Sequence, residues 1–137
     1  AKFHPGGALG KKLLLKVSDM IVNSKKPKVQ PDSNIKDVIH EISENRLGVT
    51  AVVENDTVIG IITDGDIRRM LTVNDSIANL TAKDIMTQNP KLIQANTMVI
   101  DAFQILEDHK ITQLVVLDNN EYVGVLHLHD IIKEGIL

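Results

Sequence analysis

Two stretches of the chain combine residue types that suit the capture of a phosphorylated small molecule. In the first, Gly60-Ile61-Ile62-Thr63-Asp64-Gly65-Asp66-Ile67, an apolar run ends in Thr-Asp-Gly-Asp, and Arg68 and Arg69 follow at once. The second, Gly124-Val125-Leu126-His127-Leu128-His129-Asp130-Ile131, stands 64 positions further on. Both read as a strand running into a helix. The first N–H groups of a helix lack intrahelical partners and carry the positive end of its dipole, so such a corner attracts phosphate oxygens. The Thr63 hydroxyl joins that set, with Asp64 beside it. Asp66, three positions after Thr63, can accept hydrogen bonds from a ribose diol. Arg68 and Arg69, one turn on, offer positive charge to phosphate.

The same quartet has a plainer reading, because Thr-x-x-Asp ahead of a helix is also a capping box that needs no ligand. The second stretch bears on the choice. It keeps the acid as Asp130 but puts His127 where Thr63 stands, so the reciprocal cap is expected to be lost while the acid remains. An acid retained without its capping partner points to use by a ligand, although complementarity to the helix dipole also accounts for it.

Other polar residues carry weaker signals. His127 and His129, two apart in a strand-like run, would share a face and with Asp130 could grip a metal; polar lining or a phosphate contact is the commoner outcome, and no metal is assigned. Lys28 and Lys91 follow Pro27 and Pro90 at the heads of two strand-like runs and complete the set of candidate ligand contacts. His4 has the chemistry of a general acid or base but sits in a terminal turn. His40 lies on a polar helix face, His109-Lys110 reads as a surface turn, and Lys11, Lys12 and Lys16 serve solubility. No nucleophile–base–acid set occurs, and no glycine loop has Walker or Rossmann spacing. The residues point to binding rather than catalysis, with no cofactor required beyond a nucleotide effector.

Composition narrows the partners. The 137 residues carry a net charge of −3, with 2% aromatics and no tryptophan. Stacking platforms for single-stranded nucleic acid are therefore nearly absent, and no broad positive field favours nucleic acid or anionic lipid. The absence of cysteine rules out disulfides, thiolate zinc sites and cysteine nucleophiles. No run approaches the roughly 18 apolar residues of a membrane span, and the start has no signal-peptide core. A cytoplasmic location is expected. The opening Ala1-Lys2-Phe3-His4-Pro5-Gly6-Gly7 reads as the interior of a longer chain.

The elements that position these residues recur. Ser33-Asn34 can cap a helix that carries Ile35, Val38, Ile39 and Ile42 on one face, with Gly48 near its end. Val49 to Val53 and Val58 to Ile62 flank the turn Glu54-Asn55-Asp56-Thr57 and read as a hairpin. A helix to about Leu71 follows. The order then returns: a helix with Val99, Ala102, Phe103 and Leu106, a hairpin turning at Asp118-Asn119-Asn120-Glu121, and a last helix starting near Asp130. Asn89-Pro90-Lys91-Leu92-Ile93 echoes Lys26-Pro27-Lys28-Val29. The reading is α/β (α+β): residues 1–16 a connector, 17–72 a first β-α-β-β-α repeat, 73–81 a linker and 82–137 a second repeat. Each half is too short to bury much apolar surface alone, so two sheets packed around a pseudo-twofold axis form one globular unit.

With these motifs placed, the chain resembles a tandem cystathionine-β-synthase (CBS) domain pair. The two Asp-Met/Ile-Met starts, the two Pro-Lys strands, and Gly60 to Asp66 with its partial copy at 124–130 carry the likeness. Such pairs bind adenosyl or other nucleotides in their cleft and regulate an attached domain. His4-Pro5-Gly6-Gly7-Ala8-Leu9-Gly10-Lys11-Lys12, Thr63 to Arg69 and His127 to Asp130 look, more narrowly, like the C-terminal part of bacterial D-arabinose 5-phosphate isomerases. In that family a sugar-isomerase (SIS) domain precedes the CBS pair, and the enzyme feeds 3-deoxy-D-manno-octulosonate (Kdo) to lipopolysaccharide or capsule. The resemblance implies that His4 serves the active site of that missing domain, that this segment alone does not catalyse, and that CMP-Kdo or an adenosine nucleotide such as AMP or ATP is the effector. It further implies the chain's own SIS domain as a partner and homodimers or larger assemblies through CBS pairs, while His127 departs from the family pattern by standing where Thr or Ser is usual. A module that only dimerises the enzyme is the alternative.

Overall fold

A computed structural model describes residue 10 and residues 13–21 and 25–135. The expectations placed on His4, Lys11 and Lys12 lie outside the described residues. A short helix α1 (Val17–Met20) leads to β1 (Lys28–Val29), α2 (Ile35–Asn45), β2 (Val49–Glu54), β3 (Thr57–Thr63) and α3 (Asp64–Val73). The second series is α4 (Ala82–Ile85), β4 (Thr87–Gln88), β5 (Leu92–Gln94), α5 (Val99–His109), β6 (Gln113–Asp118), β7 (Glu121–His127) and α6 (Leu128–Lys133). Among the described residues no helix is long and apolar enough to cross a membrane.

Local chemistry explains the elements. Asn34 caps α2 by accepting from the Asp37 amide at 2.8 Å, and Ile35, Val38 and Ile42 are buried on the expected face. Ile39 is 37% exposed, so the stripe is narrower than the spacing indicates. The helix ends at Arg46, which itself takes the left-handed conformation (φ 57°), and Lys110 does the same after α5 (φ 53°). Gly48, which the sequence marks for that role, has φ +69° two residues later. Both hairpins turn on two residues of positive φ, Asn55-Asp56 and Asn119-Asn120. Asparagine and aspartate tolerate that geometry, whose twist matches the flanking strands.

The strands form two sheets, β1-β2-β3-β4 and β5-β6-β7, with β1 and β5 parallel to their neighbours and the other pairs antiparallel. Registers repeat at 64 residues: Lys28 lies opposite Ala51, and Leu92 opposite Val115. Lys28 is therefore equivalent to Leu92, and Lys91 to Pro27. The two Pro-Lys pairs are alike in residue type but one position out of structural register.

The sheets meet face to face through Val49, Ala51, Val115, Tyr122 and Val125. Behind each lies a second core, and each core borrows from the other half. Val17 of α1 packs with Val99, Leu106, Leu114, Leu126 and Ile131 of the second series. Ala82 of α4 packs with Val38, Ile42, Val52 and Ile62 of the first. Matching backbone bonds fasten the exchanged helices: Val17 N–H to Thr97 and Ser18 N–H to Ala95 on one side, Ala82 N–H to Ser33 and Lys83 N–H to Pro31 on the other, all 2.8–2.9 Å. The strand β4 likewise pairs with β3 of the first series.

Tyr122 spans the halves. Its buried hydroxyl donates to the Pro27 carbonyl at 2.6 Å, and the Lys26 ammonium stands 5.6 Å from the ring centroid. Burial, and then the Glu41 carboxylate, push its ionisation well above the ordinary tyrosine value. A phenol kept neutral by folding contributes stability that is intact below pH about 10 and declines as the pH rises beyond it. Denaturant unfolding of Tyr122→Phe is expected to show a loss of about 1 kcal/mol at pH 8. Between pH 9 and 11 its stability should fall less steeply than that of the wild type; parallel curves would show that the phenol is not the titrating group.

Candidate ligand-binding cleft

The corner between β3 and α3 is built around one carboxylate. Thr63 caps α3, its hydroxyl accepting from the Asp66 amide at 3.2 Å. Asp66 is only 6% exposed and returns the bond through Oδ2, accepting from the Thr63 amide at 2.9 Å and the Thr63 hydroxyl at 3.2 Å. The Arg69 guanidinium reaches Asp66 Oδ1 at 2.8 Å, and the Thr87 hydroxyl of β4 lies 3.3 and 3.4 Å from the two oxygens. The capping box is therefore real. A hydroxyl has one proton, and those of Thr63 and Thr87 are directed at Asp66. The Asp64 amide is spent on the Gly48 carbonyl at 3.1 Å. Of the expected phosphate donors at this corner, the Thr63 hydroxyl and the Asp64 and Asp66 amides are thus already engaged.

Beside that corner a cavity of about 190 Å³ opens between the sheets. Val49, Ile61, Ile111, Val115 and Val125 make its walls, and Thr63, Thr87, Asn89, Lys91 and Gln113 supply polar groups. No carboxylate lines it. Among the described residues neither ion pair involves Lys91, so its ammonium is the uncompensated charge at the rim. Gln113 turns its amide to the Leu47 carbonyl at 3.0 Å. A larger groove of about 560 Å³ runs between α2 and the first hairpin turn. Asp37, Glu41 and Asp56 face it against Lys28, an arrangement that repels an anion. Charge, not volume, marks the smaller cavity as the candidate.

A scan against protein-family models matches the CBS domain at residues 17–73 and again at 82–136. The chain belongs to the CBS domain family. It is 42% identical over 132 residues to the arabinose 5-phosphate isomerase KdsD of Francisella tularensis, covering 95% of this chain and 40% of that protein. It is 45% identical over 128 residues to a probable arabinose 5-phosphate isomerase of Haemophilus influenzae, covering 92% of this chain and 38% of the other. The chain thus spans about 40% of the length of these relatives. Among solved structures, the CBS domain NE2398 superposes with a TM-score of 0.81 at 20% identity, over 90% of this chain and 98% of that one. The CBS domain protein PAE2072 from Pyrobaculum aerophilum, complexed with AMP, gives 0.73 at 23% identity, over 85% and 89%. At these identities the likeness establishes the fold, a pair of CBS domains.

Within this CBS pair the sequence-derived residues separate into groups. Thr63 and Lys91 meet at one cavity, with Asp66 and Arg69 directly behind Thr63. Lys28 faces the larger groove instead. Arg68 is exposed and, like Asp64, is absent from the cavity lining. The other corner differs in kind. His127 ends β7 while His129 lies in α6, so the strand alternation that would place both on one face does not occur. The reciprocal cap is lost there as expected, leaving a one-way bond in which His127 Nδ1 accepts from the His129 amide at 3.0 Å. Asp130 is half-buried and has no hydrogen-bond or ion-pair partner among the described residues. Among those residues no three His, Asp or Glu side chains converge to hold a metal. His109 and Lys110 form an exposed helix end. Sequence reasoning missed Thr87, Asn89, Ile111 and Gln113, none of which stands out by type; only the exposed-polar, apolar-wall pattern of the folded cleft unites them.

The two acids should respond unequally to removal. Asp66→Ala deletes a cap, a buried carboxylate and its donors, and is expected to cost about 2 kcal/mol, held down by the exposure of Arg69. Asp130→Ala should stay within about 0.5 kcal/mol. Urea unfolding of both variants measures the difference; equal losses would contradict the bonding described.

Proposed function

We propose that this CBS pair is the regulatory nucleotide- or nucleotide-sugar-binding module of a D-arabinose 5-phosphate isomerase in Kdo and lipopolysaccharide biosynthesis. The observation that carries the reading is the cleft between the sheets: apolar walls for a base, no carboxylate, and an unpaired lysine at the rim for phosphate. The relatives named isomerases at about 40% identity support the parent enzyme. CBS proteins of the same fold complexed with AMP, and one complexed with ATP, support the ligand class.

The base lies against Val49, Ile61 and Val115, and the phosphate takes the Lys91 ammonium with the Asn89 amide. The cavity is below the roughly 300–1,000 Å³ usual for small-molecule sites, so part of the ligand extends along the rim. AMP, ATP and CMP-Kdo share this chemistry, and feedback by CMP-Kdo suits the pathway. His4 belongs to the active site of a preceding SIS domain, and this segment alone is inactive. The setting is the cytoplasm.

A second reading, a module that only dimerises the enzyme, draws on Leu71, Val73 and Ile132, whose side chains are 55%, 72% and 53% exposed on α3 and α6. It predicts a dimer by light scattering that Leu71→Glu with Val73→Glu converts to monomer, with no response to nucleotides. The regulatory reading makes a different prediction in a thermal-shift screen of AMP, ATP, CMP and CMP-Kdo. At a hundredfold excess over Kd, one ligand should add about 2.7 kcal/mol and raise the melting temperature by several degrees. Lys91→Ala should weaken binding at least tenfold. No response to any of the four would leave only the dimerisation role.

A further inference from the structure

The 64-residue repeat gives every cleft position a counterpart across the pseudo-twofold axis, and the counterparts are not alike. Thr63 corresponds to His127, whose Nδ1 is already committed to the His129 amide. Lys91 corresponds to Pro27, which brings no charge. Pro90 corresponds to Lys26, but the Lys26 ammonium is drawn over the Tyr122 ring and faces a separate pocket with Asp56 and Glu121. Its charge is spent on that side of the hairpin.

The rims are also held differently. The Lys91 carbonyl accepts one long bond, from the Val115 amide at 3.4 Å. The Pro27 carbonyl accepts the matching bond from the Ala51 amide at 3.2 Å and, in addition, the Tyr122 hydroxyl at 2.6 Å. The residue equivalent to Tyr122 in the first half is Val58, which has no hydroxyl to give. One rim is loosely held and carries Lys91; the other is doubly fastened, and of its two lysines Lys26 lies over the Tyr122 ring while Lys25, the counterpart of Asn89, donates to the Glu44 carbonyl at 3.3 Å.

We propose that Tyr122 and Pro27 make the two clefts of the pair unequal, so that one phosphorylated ligand binds per chain, in the cleft bordered by Lys91. The inference rests on the nucleotide-binding reading above and goes beyond it in assigning site and stoichiometry. Tyr122 acts here as a positioning residue: it fixes the Pro27 rim and removes Lys26 from the second cleft without touching ligand.

Isothermal titration of the whole 137-residue chain with AMP and with CMP at low salt tests this. One equivalent is expected, lost in Lys91→Ala and retained within twofold in His127→Ala. Two equivalents in the wild type, or one equivalent that survives Lys91→Ala and disappears in His127→Ala, would overturn the assignment. No uptake of either probe would overturn the nucleotide reading itself. The role of Tyr122 is read separately in Tyr122→Phe, which keeps the ring and loses only the hydroxyl. Amide exchange at Ala51 should quicken at least tenfold while Val115 is unchanged; equal exchange at Ala51 would sink the fastening role. Substituting the first-half residues, Pro27→Lys with Tyr122→Val, should raise the stoichiometry to two, and a folded double variant that still takes one would count against the asymmetry.

Discussion

Neither half of this chain closes its own core, and the rest of the structure follows from that constraint. The apolar surface behind each sheet is capped by a short helix from the other half, Val17 in one direction and Ala82 in the other. Burial of this kind is non-directional, but the matched backbone bonds at Thr97, Ala95, Ser33 and Pro31 make it specific. Once the helices are exchanged, the sheets are held face to face across Val49, Ala51, Val115 and Val125. The cleft lies between the two sheets, walled by Val49 and Ile61 of one and Val115 and Val125 of the other.

The electrostatics of the cleft depend on where acids are kept. Asp66, behind the Thr63 that lines the cavity, is surrounded by donors: two threonine hydroxyls, an amide and a guanidinium. That shell satisfies a buried charge, which would otherwise be costly. Lys91 lines the cavity with no carboxylate among the other lining residues. Thr87 couples the two functions, since its hydroxyl belongs to the Asp66 shell while its strand leads directly to Asn89 and Lys91.

Much of this was legible in the sequence where the deciding physics is local. Asn34 as a cap, the α2 face of Ile35, Val38 and Ile42, the hairpin turns at Asn55-Asp56 and Asn119-Asn120, and the Thr63–Asp66 box all follow from short-range rules. The CBS pair itself was legible because whole repeats recur. What was missed is tertiary. The left-handed cap fell on Arg46 and Lys110 because chain direction after the helix outweighs residue preference. The Pro-Lys similarity concealed a one-residue offset that only strand register exposes. The helix exchange and the Thr87 and Tyr122 hydroxyl bonds join residues 21 to 95 positions apart, beyond any periodicity argument.

The reciprocal loan of starting helices has a consequence for how such a chain can be taken apart. A cut in the connector between α3 and α4 would leave two fragments, each carrying the helix its counterpart lacks. Each would be a template for the other, and a lone fragment could satisfy its exposed groove only by finding a second copy of itself. The duplicated architecture is in this sense a covalent version of a two-chain assembly, with the tether supplying effective concentration rather than contacts.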